Sequence, residues 1–248
     1  MLVGFKSDKG MKRFNNEDAC FVLLNDKVYV VADGVGGNNS GEIASRTAVN
    51  EIANYITNNS VKQLGTDDEI KLYFDDCVRK TNATILKMAS KYEENNGMAT
   101  TLVVVFVKDN IAYITNIGDS RAYLYRNKEL IQITEDHTYV NTLIKAGIIS
   151  EEEAETHENK NMITKAVGAD YDIEPDFFKV EIRVDDILLI CTDGLYGELE
   201  QDEIGQVLDE EESMSDACAR LVAQANINGG HDNITIVCLK VTEDDINE

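Results

Sequence analysis

The chain is poor in the residues that mark most specialised protein classes. It has 248 residues with one proline and no tryptophan. No Pro-rich or Gly/Ser-rich stretch reads as a linker, so a single domain over residues 1–241 is expected. Basic residues are scarce: 23 Lys and Arg stand against 46 Asp and Glu, for a formal charge of −23. That shortage argues against nucleic acid and anionic membranes as main partners, because both need a basic face. The five cysteines, Cys20, Cys77, Cys191, Cys218 and Cys238, show no CxxC spacing. An odd number of thiols, several inside apolar runs, reads as reduced and buried. No apolar run approaches the ~20 residues needed to span a bilayer, and residues 1–6 lack signal-peptide architecture. A cytoplasmic protein is expected.

What is present is an ordinary globular balance of 43% hydrophobic and 28% charged residues, enough for a sizeable core. Residues 20–24 and 27–32 are apolar and β-rich, with Asn25-Asp26 between them as a two-residue hairpin turn. Ser40 suits the N-cap of a helix running to about residue 58. A second helix starts at the capping box Thr66-x-x-Glu69. It carries Ile70, Phe74, Cys77, Thr81, Ile85, Met88 and Tyr92 in one stripe, as a helix packed on a sheet does. Residues 100–108 are almost continuously apolar, so both faces should be covered. Strands are expected at 111–115, 121–125 and 129–133. Residues 136–156 read as helical and polar, with the capping box Ser150-x-x-Glu153, and 135–170 reads as a surface flap. Strands at 177–183 and 187–191, a helix at 213–226 and a strand at 234–241 follow, and the acidic tail 242–248 is expected to fray. Antiparallel groups of strands with helices between the groups indicate an α+β fold with helices layered on sheet.

The run Val30-Val31-Ala32 ends in Asp33-Gly34, followed by Val35-Gly36-Gly37. One Asp-Gly taken alone is a turn. Asp119, Asp193 and Asp232, however, share its context: each lies at a strand–turn junction with glycine adjacent or within three residues. Aspartates converging from several strand ends hold two hard cations about 3.5–4 Å apart for phosphoryl chemistry. The ligands are all oxygen, which suits Mg²⁺ or Mn²⁺. Arg13 lies just before the first hairpin, and its guanidinium fork is suited to a phosphate dianion. Glu17 and Asp18 are placed to hold metal-bound waters. The three histidines, His137, His157 and His231, have no nucleophile beside them and read as structural or surface residues. No Cys-x5-Arg loop is present, which argues against a cysteine phosphatase.

The ordered set Arg13-x-x-Asn16-Glu17-Asp18, Asp33-Gly34-x-Gly36-Gly37, Gly97-x-x-Thr100-Thr101, Gly118-Asp119-Ser120-Arg121, Asp193-Gly194-Leu195 and Asp232-Asn233-Ile234-Thr235 resembles the metal-dependent (PPM, type 2C) serine/threonine protein phosphatases, and the single-domain bacterial branch in particular. The resemblance implies a central antiparallel β-sandwich flanked by helix pairs, with a helical flap at about 135–170. It implies that Asp33 bridges two metals with the Gly34 carbonyl on one of them. Asp193 and Asp232 complete the second, and Asp119 with Asp193 holds a weaker third. Arg13 binds the substrate phosphate, and Asn233 supports the Asp232 loop. The implied reaction is direct attack of a metal-bridging water or hydroxide on phosphoserine or phosphothreonine in proteins, opposing a Ser/Thr kinase, by a monomer. A pseudophosphatase that binds phosphoproteins without turnover is the alternative from another class, and a phosphoesterase for small molecules would share the site. Asn38 stands where the family commonly has histidine, Ala99 where it has glycine, and Glu158 and Lys160 where the flap has proline and arginine. Val35 stands where some relatives place a proposed general-acid histidine, so no proton donor is assigned.

Overall fold

The computed structural model describes residues 1–36 and 40–246, arranged as four layers, helix, sheet, sheet, helix. Strands β1 (Leu2–Asp8), β2 (Asp18–Leu23) and β3 (Val28–Val35) precede helices α1 (Ser40–Asn58) and α2 (Asp67–Lys91). Strands β4 (Ala99–Thr100), β5 (Leu102–Lys108), β6 (Ile111–Ile117), β7 (Arg121–Arg126) and β8 (Glu129–Gln132) follow. Two short helices, α3 (Tyr139–Lys145) and α4 (Glu151–Glu155), lead to β9 (Asp176–Glu181) and β10 (Ile187–Cys191). Helices α5 (Asp193–Tyr196), α6 (Gln201–Glu210) and α7 (Met214–Asn228), strand β11 (Ile234–Lys240) and the single turn α8 (Glu243–Ile246) end the described chain.

One sheet has the order β1-β11-β10-β7-β8 and the other β2-β3-β5-β6-β9, with β4 on the end of β3. Every pairing between these strands is antiparallel. The period of two along each strand divides its side chains between two cores. Tyr29, Val31, Val103, Val105 and Ile114 face Leu124, Leu188, Ile190, Val237 and Leu239 between the sheets. Their neighbours Val28, Val30, Val104 and Phe106 face outward onto Ala48, Ile52, Phe74 and Ile85 of α1 and α2. On the other side Leu189, Cys191, Ile236 and Cys238 meet Ile204, Leu208, Leu221 and Ala225 of α6 and α7. The continuous apolar run at 100–108 is thus covered on both faces, and the expected α+β sandwich with flanking helices is the architecture found. All five cysteines are free, and four of them are buried. Among the described residues, no helix is long and apolar enough to cross a membrane.

Several local expectations need correction. Asn25-Asp26 is not a two-residue turn: β2 and β3 last pair at Leu23↔Val28, and a 3-10 turn, Leu24–Asp26, joins them with Lys27 at φ 51°. Ser40 is the first residue of α1 rather than its cap. Gly37 and Asn38 lie outside the described residues. Residues 136–156 form two short helices; Gly147 at φ +67° stops the first, and the Ser150/Glu153 capping box starts the second. The tail is not frayed through residue 246. Asp245 accepts from the Thr242 backbone and hydroxyl at 2.9 and 2.6 Å, and Ile246 packs on the inter-sheet core. Two elements were not expected. Strand β1 is an edge strand whose Gly4 lies under α7, where a Cβ would sit 2.1 Å from the Met214 carbonyl carbon. Helix α6 opens on a Glu200/Glu203 capping box.

Candidate metal centre

Asp33 does not end its strand. Strand β3 continues two residues past it, with Gly34 opposite Thr100 and Val35 opposite Ala99. The threonine pair grips the Asp33 backbone from the neighbouring strands. Thr101 N donates to Asp33 O at 2.8 Å, Asp33 N donates to Thr101 Oγ1 at 2.9 Å, and Thr100 Oγ1 donates to Asp33 O at 2.8 Å. The Thr101 hydroxyl is also 2.6 Å from Ser120 Oγ, which ties Asp33 to the β6–β7 turn that carries Asp119. Gly118 in that turn has φ +99° and lies on Thr101, where a Cβ would be 2.6 Å from the Thr101 methyl. Gly34 has no room either, since its Cβ would lie 2.1 Å from the Gly41 carbonyl of α1. The main chain of β3 is therefore pressed against the start of that helix.

The remaining aspartates arrive at the same end of the sandwich. Asp18 opens β2 directly across from Asp33. Asp193 follows β10 as the first residue of α5, and Asp232 directly precedes Asn233 and β11. Buried Asn233 is the knot between loops. Its Oδ1 accepts from Glu17 N at 2.8 Å, and its Nδ2 donates to Lys9 O and Asn15 O, both at 2.9 Å. Its own backbone N–H donates to Asp232 Oδ1 at 2.8 Å. Gly194 closes the other side, since a Cβ there would be 2.0 Å from Asn233 O.

Arg13 points at this cluster, and its Nη2 lies 2.6 Å from Asp232 Oδ2. The sequence suggested a phosphate ligand; the structure pairs the side chain with one of the carboxylates, while half of it stays exposed. The Glu17 backbone carbonyl accepts from Gly34 N at 3.1 Å, and its carboxylate accepts from Asn15 Nδ2 at 3.2 Å. Asp18 is deeply embedded. It is 5% exposed, and its Oδ2 accepts from Thr192 Oγ1 at 2.8 Å.

The crowding shows in the titration of these groups. Burial, then Asp18, Asp193, Asp119 and Asp232, push the Asp33 carboxyl well above its ordinary value. Burial pushes Asp18 up to about 8 against the hydrogen bonds from Thr235 and Thr192. Burial and then Asp193 push Asp119 up to about 7. Asp193 rises to about 6 through burial and Asp232, held back by a hydrogen bond with Asp33 and by Arg13. Asp18 Oδ1, Asp119 Oδ1 and Asp193 Oδ1 are buried acceptors without a hydrogen-bond partner. Desolvated like charges with orphaned oxygens are unfavourable by themselves, and a hard divalent cation resolves both terms at once. Among the described residues, no three His, Cys, Asp or Glu side chains already close on one point.

A cleft of about 1020 Å³ opens from Asp119, Asp193 and Asp232 toward Asn141 and Ile144 of α3 and Ala154 of α4. At its root the motif residue Arg121 meets two residues that the sequence did not single out, Asp136 and Tyr196. Arg121 makes a two-pronged pair with Asp136, Nε to Oδ1 at 3.0 Å and Nη2 to Oδ2 at 2.6 Å. The same guanidinium lies 3.6 Å over the Tyr196 ring, and the Tyr196 hydroxyl donates to Asp119 O at 2.9 Å. His137 accepts from Gly118 N at 3.0 Å through Nδ1 and faces Asp176 at 3.3 Å through Nε2, a structural role. His157 accepts from Asn159 N at 3.1 Å. His231 lies 2.7 Å from Glu198 beside the Asp232 loop.

Comparison with known proteins gives a consistent picture. Residues 11–232 match the family model described as protein phosphatase 2C. The chain is 35% identical over 243 residues to the serine/threonine phosphatase stp of Listeria monocytogenes, covering 97% of this chain and 96% of that protein. Its structure is similar to that of the S. agalactiae serine/threonine phosphatase, with TM-score 0.90 and 31% identity over 96% of this chain and 98% of that one. It is also similar to the catalytic domain of the serine/threonine protein phosphatase PstP in complex with two manganese ions, with TM-score 0.84 and 32% identity over 97% and 98% of the two chains.

Proposed function

The chain belongs to the protein phosphatase 2C family, and on that premise we propose how its own residues divide the work of hydrolysing phosphoserine and phosphothreonine on proteins with Mn²⁺ or Mg²⁺. Asp33, the Gly34 carbonyl, Asp193 and Asp232 hold two ions, and Asp119 with Asp193 holds a weaker third. The bound ions lower the pKa of water to make a nucleophile and neutralise charge on the phosphoryl group. Arg13 supplies the phosphate clamp. Only its Nη2 is engaged by Asp232, so the other donors of the fork remain for phosphoryl oxygens, which a guanidinium meets in a bidentate manner. Asp18 and Glu17 order the water around the ions, and Asn233 holds the Arg13 and Asp232 loops in mutual register.

Residues 1–241 are read as one phosphatase unit in which 135–170 is the flap, and the cleft beneath it receives the polypeptide. We further propose a monomer acting in the cytoplasm opposite a Ser/Thr kinase. The observation that carries the reading is the convergence of Asp33, Asp119, Asp193 and Asp232 from separate strands and loops onto one cluster, in which burial and neighbouring carboxylates raise Asp33, Asp119 and Asp193. The test is phosphate release from a phosphothreonine peptide with Mn²⁺, with chelator, and in Asp193→Asn. Turnover should require metal and fall by about three orders of magnitude in the variant, the scale of losing a group that acts only in the transition state. Turnover that persists in chelator would remove the metal from the reaction.

A further inference from the structure

Phe14 is the most exposed large hydrophobic side chain among the described residues, at 100%. It follows Arg13 directly, and Met11, two residues before Arg13, is 68% exposed. Isolated exposed apolar residues are common and carry no message. These two sit on a segment that is anything but loose. Gly10 at φ +75° brings the backbone against Asp232, where a Cβ would lie 2.1 Å from Asp232 O. Met11 N and Lys12 N both donate to Gly230 O, at 2.8 and 3.1 Å. Asn233 Nδ2 fastens the segment at Lys9 O and Asn15 O, and Arg13 is anchored on Asp232. The Met11 side chain lies over Gly230, where a Cβ would be 2.9 Å from its Cγ. A braced backbone thus holds an aromatic ring in water beside the phosphate clamp, and nothing in the fold covers it.

We propose that Phe14, with Met11, forms an apolar lip that receives an apolar side chain next to the phosphoresidue of a polypeptide substrate, and so sets sequence preference. The inference rests on the phosphatase reading above. Consecutive residues of an extended peptide are about 3.4 Å apart, so a phosphoryl group at Arg13 brings its immediate neighbours alongside the next side chain of the loop. Neither Met11 nor Phe14 lines the cleft at the flap, so this contact adds a second point of recognition on the other side of Arg13. A protein of charge −23 discriminates peptides at long range only by their net charge, so a short-range apolar contact, which salt does not screen, adds a separate way to favour one sequence. The ring also offers a large contact area for little side-chain entropy.

The test uses two phosphothreonine peptides, identical except that leucine or glycine flanks the phosphoresidue on both sides. The readout is the ratio of their kcat/KM values with Mn²⁺, for wild type, Phe14→Ala and Phe14→Leu, with p-nitrophenyl phosphate as a control substrate for wild type. The wild type should favour the leucine peptide roughly tenfold, which is what remains of one buried aromatic contact after ordering costs. Phe14→Ala should bring the ratio close to one, and Phe14→Leu should restore most of it. A ratio near one in wild type, or an undiminished ratio in Phe14→Ala, overturns the proposal. So does a wild-type dimer that Phe14→Ala converts to monomer while the ratio stays fixed, since the lip would then serve a second copy of the chain. Wild type that turns over p-nitrophenyl phosphate but neither peptide refutes the lip and turns the reading toward a phosphoesterase for small molecules. Wild type that turns over nothing refutes the phosphatase reading as well.

Discussion

Asp119→Asn in chelator tests the electrostatic account of the site without asking for activity. Asp119 is 5% exposed, its Oδ1 has no partner, and its carboxyl is pushed from 3.8 to about 7, first by burial and then by Asp193. A folded value above the unfolded one means that the folded state holds the proton more tightly. Below about pH 4 the group is protonated in both states and costs nothing. As pH rises toward 7 the unfolded chain releases its proton while the folded chain keeps it, so stability falls, and above the folded value the loss is complete. Full ionisation costs about 4 kcal/mol, of which about 3 kcal/mol falls between pH 5 and pH 8. Asparagine has the same shape and cannot ionise. Its backbone place is still marked by the Tyr196 hydroxyl, which donates to the residue 119 carbonyl at 2.9 Å.

The measurement is urea unfolding of wild type and Asp119→Asn in chelator at both pH values. The general charge repulsion of an acidic protein is common to both proteins and cancels in the difference. The stability of the variant relative to wild type should grow by up to about 3 kcal/mol from pH 5 to pH 8, or roughly 6–12 °C in Tm for a chain of this size. Neighbouring carboxyls that share the proton reduce this figure without changing its sign. Saturating Mn²⁺ should reverse the order, because an ion that binds only the folded state stabilises the protein with the better site. A difference that is flat with pH, or that grows toward pH 5, would refute the reasoning.

Two further outcomes follow from local geometry. Asn233→Ala removes the acceptor for Glu17 N and the donor to Lys9 O and Asn15 O. It should cost about 3 kcal/mol in urea unfolding and lower peptide turnover by loosening Asp232 and Arg13 together. Thr66→Ala opens the capping box of α2, in which Glu69 N donates to Thr66 Oγ1 at 3.2 Å and Thr66 N to Glu69 Oε2 at 3.0 Å. It should cost about 1 kcal/mol by the same measurement and leave kcat/KM unchanged, since the box lies in a helix on the outer layer.

Much of this architecture was legible in the sequence because local rules and global packing agree. The Thr66 and Ser150 capping boxes, the apolar run at 102–107 and the stripe on α2 each carry their signal within one element. The gathering of Asp33, Asp119, Asp193 and Asp232 was legible because all of them recur in one context, next to or shortly before or after a strand end with glycine near, even though β3 runs two residues past Asp33. What was not legible depends on remote partners. Gly4 interrupts the apolar pattern of β1, and the reason for it, the α7 backbone, is 210 residues away in sequence. Asn25-Asp26 looked like a hairpin turn because Lys27 gave no sign that it would take the left-handed conformation. Helix α6 did carry a signal, Ile204, Val207 and Leu208 behind Glu200-x-x-Glu203, which an acidic composition made easy to pass over. Thr100 and Thr101 could be quoted as a motif, but their grip on the Asp33 backbone needs the β3–β4–β5 pairing.

The bonds around the aspartate cluster join it to the start of residues 135–170. Asp136 lies at the start of residues 135–170, and Arg121 holds it through two prongs while stacking on Tyr196. Tyr196 bonds the Asp119 backbone, and Asp136 is among the charges that raise the Asp119 carboxyl. On the other face of the same turn, Gly118 exchanges hydrogen bonds with His137, whose backbone also accepts from Thr164 N at 2.8 Å. The Asp119 turn is therefore braced on one side through Arg121 and Tyr196 and on the other by His137. A displacement that broke the Arg121–Asp136 pair would leave the partly buried Arg121 guanidinium without its carboxylate, which is costly, and would loosen its stack on the Tyr196 ring that holds the Asp119 backbone. The start of residues 135–170 and the place of Asp119 are thus set by one group of contacts. Asp33, gripped by Thr100 and Thr101, joins that group through the Thr101–Ser120 contact.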